Sequence, residues 1–287
     1  TKSLAWERPT ALIKTVDFPK NARPAWIAER LTAECLADPG AVEIAWQDEQ
    51  RFTFSLIEAP ADSPILDLGP EPVFLISGGT AGIAMPILRD LAGRVRGRFY
   101  LVGSRPLPAE NDPDLFLLQS DRGQLLRQWH AQAANQGQRL SPAVLEARLA
   151  ALERSAAALS EIHHWQSRGV QVTYLSCDLT DPHQITELVE QVQQREAQVD
   201  VFIHAAGTER SRKLESKPDA EIQQVLAVKL GGFIGLLRAL QGAKRWPKAV
   251  VSFSSVAGRF GNAGQTDYAA ANDGLARLSA HLQGRFP

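Results

Sequence analysis

Five short apolar runs, at residues 73–76, 98–102, 170–176, 199–203 and 249–253, recur along the chain with helical patterning between them. Runs this short and this apolar read as strands covered on both faces. Strands that alternate with helices pair in parallel, because a helix can carry the chain back across a sheet and a tight turn cannot. The alternation therefore predicts an α/β fold built on a doubly wound parallel sheet.

One interval breaks the rhythm. Residues 106–169, between the second and third strands, are far more than one crossover helix needs. Ser141 followed by Pro142 marks a helix start. Apolar residues then recur at Leu145, Leu149, Leu152, Ala156 and Leu159, and Gly169 closes the run. The segment reads as a helical insertion. Its long amphipathic helix covers the sheet, packs on its own hairpin, or offers a partner surface.

Ahead of the first strand, residues 1–70 read as a small subdomain, and residues 71–287 as the larger domain. The helix expected over 25–36 places Ile27, Leu31 and Cys35 on one side. Two strands, 41–46 and 51–57, flank a turn at 47–50, and the proline-rich stretch 58–72 reads as a connector. The chain opens on Thr1 and stops at Pro287 directly after a helix, so both ends read as cut from a longer polypeptide.

Charge narrows the partners. With 31 Lys and Arg against 32 Asp and Glu, the net charge is −1, which leaves no basic surplus for nucleic acid or an anionic membrane. No apolar run is expected to approach the ~20 residues of a membrane span, and no signal peptide stands at the start. Cys35 and Cys177 fit a reduced, cytoplasmic protein better than a disulfide framework. His204 reads as structural, and His163 and His164 lack the ligand cluster a metal needs, so no metal is expected.

Gly78, Gly79, Thr80, Ala81, Gly82 and Ile83 stand between the first strand and the next helix. Backbone N–H groups and the helix dipole favour a phosphate there, and strand, glycine loop and helix together are the context of a dinucleotide site in a Rossmann-like sheet. Ala84 falls where many such loops place a last glycine. At the end of the second strand an acid would bind a ribose 2′-hydroxyl and an arginine a 2′-phosphate. Ser104 and Arg105 stand there with no acid before Glu110. This favours NADPH over NADH, unless Arg105 is only a surface residue. Asp178 and Leu179 follow the third strand, where Asp178 could hold an adenine amino group; Thr180 or Asp181 could equally cap the next helix. Ala205, Ala206 and Gly207 follow the fourth strand and are small enough to let backbone lie against a cofactor. After the fifth strand the stretch from Ser254 to Asn272 brings serines, then Tyr268 with Asn272 one helical turn later on the same face.

Together these motifs resemble the ketoreductase domain of type I polyketide synthases, a branch of the short-chain dehydrogenase/reductase superfamily. The likeness rests on Ser77-Gly78-Gly79-Thr80-Ala81-Gly82-Ile83, Asp178-Leu179-Thr180-Asp181, His204-Ala205-Ala206-Gly207, Lys229-Leu230-Gly231-Gly232 and the Ser254 to Asn272 stretch. The insertion and the run from Gly261 to Tyr268 resemble more closely the polyunsaturated fatty acid synthases. Residues 1–70 resemble a shortened form of the structural subdomain that precedes such domains. The resemblance also implies two further strands and a substrate lid beyond residue 287.

It assigns Tyr268 as proton donor and Ser255, thirteen residues earlier, as its partner on the substrate oxygen. Lys229 matches the family's lysine. Asn272 stands where simple short-chain dehydrogenases carry the lysine of Tyr-x-x-x-Lys. A phenol with pKa near ~10 is a sluggish acid at neutral pH, and an adjacent ammonium favours the phenolate. Lys229 would do this and hold the nicotinamide ribose. Ser255 and Tyr268 would bond the ketone oxygen where negative charge develops, and Asn272 would order a water or a neighbour. The implied activity is NADPH-dependent reduction of a β-ketoacyl group tethered to acyl carrier protein, with other domains of the same megasynthase as partners. The alternatives are a non-catalytic ketoreductase-like scaffold and a free-standing reductase of small alcohols; Thr1 and the N-terminal subdomain count against the latter. Neither marker of product hand is present: Thr208-Glu209-Arg210-Ser211 stands where one hand carries Leu-Asp-Asp, and Phe260 where the other carries tryptophan.

Overall fold

The computed structural model describes residues 1–37, 40–58, 66–80, 82–242 and 246–283. Ala81, residues 59–65 of the connector expected at 58–72 and the chain end at 284–287 lie outside the described residues. In chain order the elements are α1 (Lys2–Glu7), β1 (Thr15–Asp17), α2 (Pro24–Leu36), β2 (Glu43–Gln47), β3 (Gln50–Thr53), β4 (Val73–Ser77), α3 (Ala84–Arg94), β5 (Arg98–Gly103), α4 (Pro113–Ser120) and α5 (Arg122–Asn135). There follow α6 (Pro142–Ser167), β6 (Gln171–Ser176), α7 (Pro182–Gln193), β7 (Val201–His204), α8 (Asp219–Leu226), α9 (Gly232–Gly242), β8 (Ala249–Ser252), α10 (Val256–Phe260) and α11 (Thr266–Gln283). A π-helical stretch, Ala227–Gly231, links α8 to α9. The chain folds into two compact units, one from Leu68–Ala206 and Ile234–Phe253, the other from Thr1–Asp67, Gly207–Phe233 and Ser254–Pro287.

The first unit holds a five-stranded sheet in the order β6-β5-β4-β7-β8, with every pairing parallel. This is the doubly wound arrangement that the alternation predicts. All five residues of the central strand β4 are buried. Phe74 stacks on its register partner Phe99, ring centres 4.7 Å apart. β8 departs from the expectation of a fully covered strand: among the described residues it pairs with β7 alone, and Val251 is 44% exposed. A strand with one neighbour leaves a flank open.

The insertion is α4, α5 and α6. Ser141 caps α6 and Pro142 opens it, as expected. The two halves of α6 do different work. Leu145 and Leu149 pack with Leu117, Leu125 and Trp129 of α4 and α5, so the N-terminal half closes a small core of its own. Ile162 and Trp165 instead join the sheet core, where Trp165 meets Phe99 edge to face at 5.8 Å. The helix therefore both packs on its hairpin and covers the sheet.

The second unit contains a three-stranded sheet in which β1 runs parallel to β2 and β2 antiparallel to β3. The inner face of α2 is not the expected one. Leu31 and Cys35 are exposed, and Glu34 is buried at 3% exposure. Its carboxylate accepts bonds from Lys14, Arg51 and the Trp46 indole, so paired charge displaces the apolar stripe from the inside. β3 ends at Thr53, and Phe54, Leu56 and Ile57 beyond it are exposed instead of continuing the strand.

The helical run Asp219–Gly242 is also unexpected: it is 24 residues long and, by length and composition, apolar enough to cross a membrane. Its apolar residues are used within the fold, with Val225, Phe233, Leu236 and Leu240 each at most 3% exposed.

Candidate active site

The glycine loop follows β4. Gly78 has φ +76°, a backbone region that costs other residues strain. A Cβ there would stand 2.4 Å from the Ala206 amide nitrogen. Gly79 is equally enclosed, a Cβ meeting Leu88 at 2.7 Å. The backbone at Gly78 and the Ala205-Ala206 backbone after β7 thus meet closely, a cradle that only a missing side chain permits and that suits a pyrophosphate. Thr80 is half-buried, and Gly82 and Ile83 are exposed at the loop's far side. Ala84 opens α3 and is itself part of the sheet core, so its methyl is accommodated.

Ser104 and Arg105 follow β5 and are exposed, and the Tyr174 hydroxyl donates to the Arg105 carbonyl. The Asp178 carboxylate accepts the Thr180 N–H and hydroxyl, a local turn at the end of β6. Asp181 is the cap of α7, accepting the His183 and Gln184 N–H groups, and Leu179 is buried beneath. Burial pushes the neighbouring Cys177 thiol up to about 11, which suits a packing role. His204 is fully buried and its Nδ1 shares a 2.7 Å hydrogen bond with Ser77, its register partner across β4 and β7. His163 faces Glu110 at 3.0 Å. Among the described residues no three His, Cys, Asp or Glu side chains gather as a metal site.

Lys229, Ser255, Tyr268 and Asn272 all belong to the second unit. Lys229 sits in the π-helical stretch and is 4% exposed. Its ammonium lies 5.8 Å from the centre of the Tyr268 ring, and a Cβ at Gly207 would stand 3.1 Å from it. Burial holds the Lys229 pKa below its ordinary value. Ser255 caps the short α10, a helix in a stretch whose glycines suggest a loop; its hydroxyl oxygen accepts the Ala257 N–H at 3.2 Å. That bond leaves the hydroxyl proton available to donate. Ser254 is committed elsewhere, donating to the Asn272 carbonyl at 3.1 Å. Asn272 is fully buried, and its Nδ2 donates to the Tyr268 carbonyl at 2.8 Å, one turn back along α11. A buried ammonium beside a half-buried phenol is an arrangement that can hold and deliver a proton.

Three further residues frame Tyr268. Asp267 accepts the Tyr268 N–H at 2.9 Å and pairs with Lys217. Glu7 of α1 accepts from Gly264, Thr266 and Leu214. An acid in the first turn of a helix is a readable signal for Asp267, whereas Lys217 and Glu7 come from distant segments and carry none.

The profile of the KR domain family matches residues 72–285. A polyunsaturated fatty acid synthase polypeptide of Thraustochytrium sp. is 26% identical over 98% of this chain, which spans 10% of that protein. Polyketide synthase PksN of Bacillus subtilis is 30% identical over 59% of this chain, 3% of its own length. The chain thus spans a tenth or less of these relatives. The crystal structure of a ketoreductase domain from the bacillaene assembly line superposes with a TM-score of 0.72 over 99% of this chain and 57% of that one, at 23% identity, and supports the fold. The chain belongs to the KR domain family, the ketoreductases of polyketide and polyunsaturated fatty acid synthases within the short-chain dehydrogenase/reductase superfamily.

Proposed function

We propose that this domain reduces a β-ketoacyl group, carried on an acyl carrier protein, to the β-hydroxyacyl product within a larger synthase. The observation that carries this reading is the pairing of the buried Lys229 ammonium with the Tyr268 ring. The Gly78 cradle against Ala205-Ala206 and the cationic Arg105 beyond β5 support NADPH as the cofactor. When bound, NADPH supplies the hydride.

The chain's own residues do the rest. Ser255 and Tyr268 donate hydrogen bonds to the ketone oxygen, stabilising the negative charge that develops there. Tyr268 then gives up its phenolic proton to that oxygen, and the Lys229 ammonium stabilises the phenolate left behind. Asn272, bonded to the Tyr268 carbonyl, holds the first two turns of α11 in register.

The experiment is NADPH oxidation by the chain with a β-ketoacyl thioester on acyl carrier protein, alongside direct NADPH titration. Turnover that needs both substrates is the expected result. Cofactor binding with no turnover would point to a scaffold, and absence of binding would sink the reductase reading.

A further inference from the structure

We propose that the buried Lys217–Asp267 ion pair is a positioning device for Tyr268, an inference that rests on the reading of Tyr268 as proton donor. Both side chains are 1% exposed. They come from segments 50 residues apart, Lys217 just after the 3₁₀ turn Leu214–Ser216 and Asp267 in the first turn of α11. A single carboxylate oxygen, Asp267 Oδ1, accepts both the Lys217 ammonium and the backbone N–H of Tyr268. The ammonium donates a second time, to the Gly264 carbonyl at 3.2 Å.

The same turn is held from its other side. The Gly264 N–H donates to Glu7 Oε1 at 2.9 Å, and the Arg212 N–H donates to the Gly264 carbonyl at 2.8 Å. Gly264 therefore has both its backbone groups fixed by segments remote in sequence, just ahead of the helix that carries Tyr268 and Asn272.

A buried ion pair is a poor choice if the only aim is to hold two segments together, because well-packed apolar side chains do that as well without desolvating two charges. What charges add is direction. Charge-assisted bonds in a low-dielectric interior resist rotation of the group they hold. Here the held group is the amide of the proton donor itself. The first turn of α11 sets where the phenol stands relative to Lys229, and small misplacements of a reacting group cost rate far more than they cost stability.

The test separates these two costs. The double variant Lys217→Met/Asp267→Leu replaces the pair by apolar side chains. A second, Lys217→Met/Asp267→Asn, removes the charges and keeps an acceptor for the Tyr268 N–H. Each is compared with the parent chain in NADPH-dependent reduction of a β-ketoacyl thioester, in thermal unfolding, and in deuterium exchange of the amides of 264–268. The first variant is expected to lose about tenfold or more in kcat with KM within about threefold, to keep a cooperative unfolding transition, and to exchange faster at 264–268. The second is expected to fall between it and the parent, a rescue that unfolding temperature alone does not track. Parent-like kcat in either variant overturns the proposal. If the parent itself reduces no ketone, the proposed function fails and exchange decides the clamp: faster exchange at 264–268 in the first variant upholds it, and unchanged exchange overturns it.

Discussion

The Lys229 ammonium stands 5.8 Å from the centre of the Tyr268 ring, within the range where a cation is attracted to an aromatic face. The lysine is held there against its own solvation, and burial lowers its pKa. Lys229→Met keeps a side chain of similar length at this buried position and removes the charge; it is expected to cut kcat by about 10²-fold or more. Steady-state kinetics, with urea unfolding on the same preparation to show that the variant is folded, make the check. A folded and fully active variant would refute the assignment.

Tyr268→Phe removes only the phenolic oxygen and keeps the ring beside Lys229. Reduction is expected to fall by about 10²–10⁴-fold, the usual worth of a positioned proton donor, with NADPH affinity within a few fold. Single-turnover kinetics and cofactor titration make the comparison. Retained turnover would show that another group supplies the proton.

At Gly78 the barrier is steric. A methyl would stand 2.4 Å from the Ala206 nitrogen, on backbone already at φ +76°. Gly78→Ala is expected to weaken NADPH binding by about tenfold or more and to lower stability by about 1–3 kcal/mol. Gly82→Ala is the useful contrast, since among the described residues no atom beyond its chain neighbours lies within 4 Å of its Cβ position, and its φ of +60° leaves backbone strain as the cost. Isothermal titration and thermal unfolding of the two variants separate clash from strain.

Arg105 is the expected reader of the 2′-phosphate. Arg105→Glu would replace attraction by repulsion there and offer an acceptor to a 2′-hydroxyl. The ratio of kcat/KM for NADPH over NADH should drop by about 10-fold or more. An unchanged ratio would return Arg105 to the status of a surface residue.

Glu34 supplies a pH test for the small sheet. The Arg51 guanidinium, with Lys14 behind it, holds the Glu34 carboxyl down to about 2. A carboxyl depressed in the folded state stabilises fully above its unfolded value near ~4.3 and loses that contribution as pH falls toward 2. The contribution is about 3 kcal/mol at neutral pH. Acid titration should loosen the second unit over this window, reported by fluorescence of Trp46, whose indole donates to Glu34. Glu34→Gln should flatten that response.

The sheet was legible because run length and apolarity are local properties: each of the five strands announces itself within a few residues. β1 did not, as Thr15-Val16-Asp17 is three residues with no apolar run. The face of α2 was misread for a related reason. Periodicity assumes that charge points outward, and Glu34 points inward because Lys14 and Arg51 arrive from other segments to meet it. Within the candidate site, Tyr268 and Asn272 lie one turn apart on a helix, so their adjacency could be counted out. The nearness of Lys229 to Tyr268 could not be counted, and was implied only by resemblance. Lys217 lay beyond both routes, since nothing near it in the chain shows that its partner is Asp267.

The second unit is assembled from three separated stretches of chain, and this has a consequence for synthesis on the ribosome. Glu7 bonds a turn 257 residues downstream, and Lys2 meets Asp273 across 271. At ~5–20 residues per second, α1 waits roughly ten seconds to a minute for its partners to emerge. Residues Leu68–Ala206 carry four of the five parallel strands in one stretch and can begin to collapse meanwhile. A segment made early is thus among the last of the unit to find its place. Tyr268 and the helix that braces its turn, α1, meet only after more than 250 intervening residues have been made.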